Sequence, residues 1–173
     1  MSDAVRCDLV HNRRMERGEP FVVVGVDGGD AAQGALRWAV SEAWAHRARV
    51  VAVHAFSEPV VNDVTMMPPD TMLHAEDAYL AACEWRDDVL AALPEYPEAR
   101  VDVEVRLGPA GPALTDAACG ALMLVVGSRS HHPLHRLVYG SVSHYCVGHA
   151  PCPVVAVPMS RHSSVDEARA TLD

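Results

Sequence analysis

Apolar residues in this chain gather into short runs, and between those runs the spacing changes to a helical period. Phe21 to Val26 is continuously apolar and ends in Asp27-Gly28-Gly29. An unbroken run of that length, rather than an alternating one, suits a strand covered on both faces of a parallel sheet. Arg49 to Ala55 reads as a second strand, Leu122 to Val126 as another buried one, and Val154 to Val157 as the last. Arg100 to Leu107 alternates strictly between apolar and charged residues, which places it at the periphery of the sheet with one face exposed. After Asp30, a candidate N-cap, Ala32, Leu36, Ala39, Val40 and Ala43 form a stripe fit to pack on a sheet. Residues near 70 to 92, residues 108 to 119 with Gly120 as cap, and a segment opening near Gly140-Ser141 supply the other helices. Trp38 and Trp44 read as packing residues.

Strands and helices therefore alternate from one end to the other. That order implies a parallel sheet with right-handed crossovers and helices on both faces, an α/β fold. One domain is expected over residues 20–158. Residues 1–19 lack sustained periodicity and read as a mobile N-terminal extension, a docking arm being the other reading. Residues 159–173 read as a polar C-terminal tail. Ser57 to Asp70, with Pro59, Pro68 and Pro69, is a long connection at the sheet edge where a ligand could be covered.

Composition narrows the function more than the fold. The 173 residues are half hydrophobic and carry a formal charge of -9, which argues against a nucleic-acid or anionic-membrane binder. There is no lysine, which excludes a P-loop and any Schiff-base chemistry. The five cysteines include no CxxC pair, and no run is long enough to span a membrane. The expected setting is cytoplasmic, with reduced thiols.

The candidate chemistry lies between Ala121 and Pro158. A strand there leads into a loop opened by Gly127 and then a helix at Gly140-Ser141, an anion site made of unpaired amides and the helix dipole. Ser141 and Ser143 can add hydroxyls. Gly127, Ser130 and Gly140-Ser141 stand at the spacing of the nucleotide-binding signature of the universal stress protein family, with Ser130 replacing its second glycine. The strand VVVGVD with Asp27 and the ending Ala150 to Pro158 also resemble that family, over roughly residues 20 to 158.

The resemblance implies an open five-stranded parallel sheet of order 3-2-1-4-5, adenine-nucleotide α-hydrolase-like. It also implies ATP as ligand and a part in stress adaptation or signalling. Asp27 would hold the nucleoside, Val53 beside His54 would approach the adenine, and Gly127, Ser130, Gly140, Ser141, Val142 and Ser143 would form the phosphate side. A homodimer would pair Val154 to Val157 of two chains. Ser130 and Pro133 are expected to weaken ATP binding, and slow ATP hydrolysis is the most activity implied.

Each residue also has a plainer reading. Asp27 serves as a turn former, Gly140 and Ser141 as helix-cap chemistry, and Arg129 and Arg136 as exposed loop cations. His131, His132, His135, His144 and His149 suggest a metal but come without a loop carboxylate. No GxSxG elbow surrounds Ser141, no Rossmann GxGxxG follows the first strand, and no catalytic set is apparent. The competing function is a nucleotide-free dimeric interaction protein that keeps the fold without the site.

Overall fold

Five parallel strands lie in the order β3-β2-β1-β4-β5 in the computed structural model, which describes residues 18–56, 71–128 and 140–158. The expectations for the N-terminal extension to residue 17, the connection 57–70, the loop residues 129–139 and the tail 159–173 lie outside the described residues. The elements are β1 (Phe21–Val26), α1 (Asp30–Ala45), β2 (Arg49–Phe56), α2 (Thr71–Ala91), β3 (Val101–Leu107), α3 (Ala110–Ala117), β4 (Met123–Ser128), α4 (Ser141–His149) and β5 (Val154–Pro158).

β1 lies at the centre because it is the strand apolar on both faces. It pairs with β2 from Phe21↔Arg49 to Val26↔His54, and with β4 from Val22↔Met123 to Val24↔Val125. Alternation then divides the core in two. Val22, Val24, Val50, Ala52 and Val125 face α1 and α2, where Ala35, Leu36, Ala39 and Val89 fill the layer. Val23, Val51, Val53, Leu124 and Val126 face α3 and α4, meeting Leu114, Ala117 and Cys146. Small residues in α1 let that helix lie close against β1 and β4.

β3 is an edge strand, as its alternation indicates, and Val101 alone on it is buried. β5 forms the other edge, and its four valine and alanine positions are half-buried. Two details differ from the sequence reading, and a third, at Arg49, is new. The N-cap of α1 is Gly29, and Asp30 occupies the first turn, where its charge complements the helix dipole. Trp38 packs on the core, but Trp44 is 44% exposed and meets Tyr96 edge-on, with ring centroids 5.8 Å apart. Arg49 is buried, its guanidinium donating to Asp102 Oδ2 at 2.9 Å and lying 5.2 Å over the Phe21 ring.

Candidate functional site

The order in which strands are added to the sheet reverses at β1. The connection through α1 leads from β1 to β2 on one side, while β4 and β5 lie on the other. Above the carboxyl ends of β1 and β4, the connections depart in opposite directions and leave a crevice, the usual ligand position in open α/β sheets. Its volume is about 220 Å³. Asp27, Val53, Gly127, Gly140, Ser141, Val142 and Ser143 all line it. The structure thus brings together every expected site residue except Ser130, which lies outside the described residues.

Asp27 follows the last β1 residue and is exposed. Its Oδ1 accepts the Gly29 N–H at 3.0 Å, an Asx turn made possible by the left-handed Gly28, φ 78°. The turn-forming role and the crevice position therefore hold together at this residue. His54, opposite Val26 in the register, bonds through Nδ1 to the Val26 carbonyl at 3.0 Å.

On β2 the backbone directions settle which residue can meet a ligand through its main chain. The Arg49 N–H donates to Pro20 O on the β1 side, whereas the Val50 N–H donates to Arg100 O and Phe56 O accepts from Gly108 on the β3 side. Odd-numbered β2 residues thus face β1. Val53 lies opposite Gly25 inside that ladder and offers the crevice its side chain. Ala55 is the first residue on that side beyond the last β1 rung, and it lines the crevice too.

The phosphate-side residues separate into framework and opening. A Cβ on Gly127 would stand 2.7 Å from Ala31 O, so only glycine lets β4 end beneath the first turn of α1. Ser143 is 2% exposed, and its hydroxyl donates to Gly127 O at 3.0 Å, fastening the start of α4 to the end of β4. Its hydroxyl proton is committed within the protein. Gly140 caps α4 with φ -56°, accepting the His144 N–H at 2.9 Å, and no side chain among the described residues caps the helix. A Cβ there would meet no described atom within 4 Å. The amides of Ser141, Val142 and Ser143 therefore open the helix without a protein acceptor among the described residues, beside space that no described residue fills.

Sequence reasoning missed Ala31, Ala55, Ala110 and Leu114 as lining residues. Their side chains carry no chemistry to search for; only register and helix position reveal them. The loop candidates Arg129, His131, His132, Pro133, His135 and Arg136 lie outside the described residues. His149 stacks on Tyr145, centroids 4.1 Å apart, with Nδ1 on the Tyr145 carbonyl. Among the described residues no group of three or more His, Cys, Asp or Glu stands together as a metal cluster, and no helix is long and apolar enough to cross a membrane.

A larger hollow of about 630 Å³ opens at the amino ends of the strands, beside Trp44, Arg47, Glu98 and Arg100. Neither the switch point nor the uncapped helix start reaches it, so volume does not select the site.

A sequence profile of the Universal stress protein family matches residues 21–158. A universal stress protein of Mycolicibacterium smegmatis is 33% identical over 138 residues, covering 79% of this chain and 47% of that protein. The chain thus spans about half the length of this mycobacterial relative. A universal stress protein of Thermus aquaticus is 35% identical over 143 residues, 79% of this chain and 96% of its own. Among solved structures, a universal stress protein family protein from Arabidopsis thaliana with AMP bound superposes with a TM-score of 0.56 at 17% identity, covering 86% of this chain and 98% of that one.

Proposed function

The chain belongs to the universal stress protein family, and on that premise we propose that it binds ATP, weakly, in the crevice between β1 and β4. The observation that carries the reading is the start of α4. Among the described residues nothing caps its first turn or fills the space beside Gly140, and an anion there meets backbone amides and a favourable dipole. The AMP-bound Arabidopsis structure supports an adenine nucleotide as the ligand class. Asp27 holds the ribose, β2 near Val53 and Ala55 faces the base, and Ser141 and Val142 with the Ser143 amide take the phosphates. The protein serves stress adaptation or signalling in the cytoplasm as a homodimer paired through Val154 to Val157.

Weak binding follows from Ser130 and Pro133. A glycine at the signature position admits a left-handed backbone, and a serine forced into that region carries strain on the order of 1–3 kcal/mol. At about 1.4 kcal/mol per decade, affinity falls some ten- to hundredfold. Pro133 adds nothing to the donors, having no N–H. Calorimetric titration with ATP tests the proposal on the parent, Ser130→Gly and Gly140→Val. Binding should tighten at least tenfold in Ser130→Gly and vanish in Gly140→Val. Equal affinity for the parent and Ser130→Gly removes the strain argument. Undetectable binding in both leaves the second reading, a nucleotide-free dimeric interaction protein.

A further inference from the structure

The hollow at the amino ends of the strands lies at the opposite end of the sheet from the crevice, and its lining is of another kind. Val40, Ala43 and Val50, all buried in the core, give it an apolar floor. Trp44, Arg47, Glu98 and Arg100 bring an indole, two guanidiniums and one carboxylate. A volume of about 630 Å³ falls in the range of small-molecule sites, which join apolar walls to a few placed polar groups.

Arg47 stands there against the preference of its own backbone. It follows α1 in the left-handed region, φ 51°, and no other described non-glycine residue has a positive φ. The Arg47 N–H donates to Trp44 O at 3.2 Å and the Ala48 N–H to Ala43 O at 2.8 Å, a Schellman close in which glycine is the usual, unstrained residue. Trp44 is exposed and yet held: Tyr96 meets its ring edge-on at 5.8 Å, and the Tyr96 hydroxyl donates to Ser41 Oγ at 3.0 Å. Arg100 is paired with Glu19. That leaves one guanidinium, Arg47, and one carboxylate, Glu98, on the same hollow, with no ion pair to each other or to any other described residue.

We propose that this hollow binds an aromatic amino acid as its zwitterion, with the carboxylate on Arg47, the ammonium on Glu98, and the ring against Trp44 and the apolar floor. A guanidinium offers a planar fork that fits a carboxylate, a glutamate accepts from an ammonium, and aromatic rings pack offset or edge-on. Other ligands match the lining less well. A phosphate would need cations in surplus, and Arg100 is already answered by Glu19. A purely apolar ligand would gain nothing from Arg47, and glycine would then close α1 with less strain. The site lies apart from the crevice, so the inference stands whether or not ATP binds there.

The test titrates the whole chain with L-phenylalanine by calorimetry and locates the site by heteronuclear NMR. Saturable one-to-one binding is expected, with shifts gathered at the Trp44 indole N–H and the Ala48 and Ala99 amides. Phenethylamine lacks the carboxylate and hydrocinnamate lacks the ammonium; each should bind at least about tenfold more weakly, the loss of one charge-assisted bond. Glu98→Gln should bring L-phenylalanine down to the level of hydrocinnamate and leave hydrocinnamate unchanged. Arg47→Gly should weaken L-phenylalanine by at least about tenfold and yet raise the urea midpoint, because it releases the left-handed strain. A purely structural role for Arg47 could not give that pair of results. Absence of binding overturns the proposal, as does equal affinity for L-phenylalanine and hydrocinnamate, or parent-like affinity in Arg47→Gly. Shifts gathered at Ala55, Ser141 and Val142 would place the probe in the crevice and overturn it too.

Discussion

Gly127 and Gly140 belong to one motif and answer to different constraints. At Gly127 a methyl group would press on the Ala31 carbonyl at 2.7 Å, a backbone atom that cannot rotate away. Gly127→Ala should therefore destabilise the fold by about 1–3 kcal/mol in urea denaturation. At Gly140 φ is -56° and no described atom lies within 4 Å of the added carbon. Gly140→Ala should stay within about 1 kcal/mol of the parent in stability, while the affinity for ATP drops. A stability loss as large as that of Gly127→Ala would assign Gly140 to the framework instead. Ser143 shows what sequence could not supply. Residue type and spacing made it a crevice candidate with a hydroxyl to offer, but nothing in the sequence tells that the hydroxyl faces Gly127 O. Removing that donor in Ser143→Ala should cost about 1–2 kcal/mol of stability, read from the same denaturation curves.

At the scale of elements, patterns were legible wherever a face was either fully covered or fully wet. The unbroken apolar run of β1 and the alternation of β3 read directly as a centre and an edge. The α1 stripe named the helix face that packs, since Leu36, Ala39 and Ala43 are all buried. Less legible were the junctions, because cap geometry and register are set by backbone contacts between distant segments; Ala55 escaped notice for that reason. α4 carries a pH signature of its own packing. Cys146 points into the core, and burial lifts its pKa from 9.0 to about 11. Below 9.0 both folded and unfolded chains keep this proton, and the thiol costs nothing. As pH rises from there to about 11 the unfolded chain releases the proton and the folded one does not, so stability falls. The loss approaches on the order of 2–3 kcal/mol. Urea unfolding of the parent and Cys146→Ala, at about pH 8 and about pH 10.5, should show the smaller alkaline loss in the variant. Parallel losses would place the alkaline transition elsewhere.

For the whole molecule, the strand order came from the family resemblance, since spacing alone admits other orders; the alternating edge strand agreed with it. Residues 20–158 are expected to resist limited proteolysis as one core while both ends are trimmed, and two stable halves of similar size would contradict that. β5 presents half-buried apolar residues along an edge without a charged gatekeeper. Light scattering should give a dimer mass. Val155, the β5 valine that packs on neither core cluster, is the place to break it: Val155→Lys should yield a monomer with unchanged circular dichroism. A monomeric parent would end the edge-pairing proposal. The crevice draws its walls from most of the chain, and its lining includes Gly25, Ala31, Ala32, Ala55, Ala110, Gly127 and Gly140. Much of it is a hole left by withheld atoms. Alanine scanning leaves the alanines among these positions unprobed; a scan that adds bulk, glycine and alanine to valine, would trace the outline. Mutational drift meets the same asymmetry: an ordinary enlargement closes such a cleft, in open space at Gly140 and against the framework at Gly127.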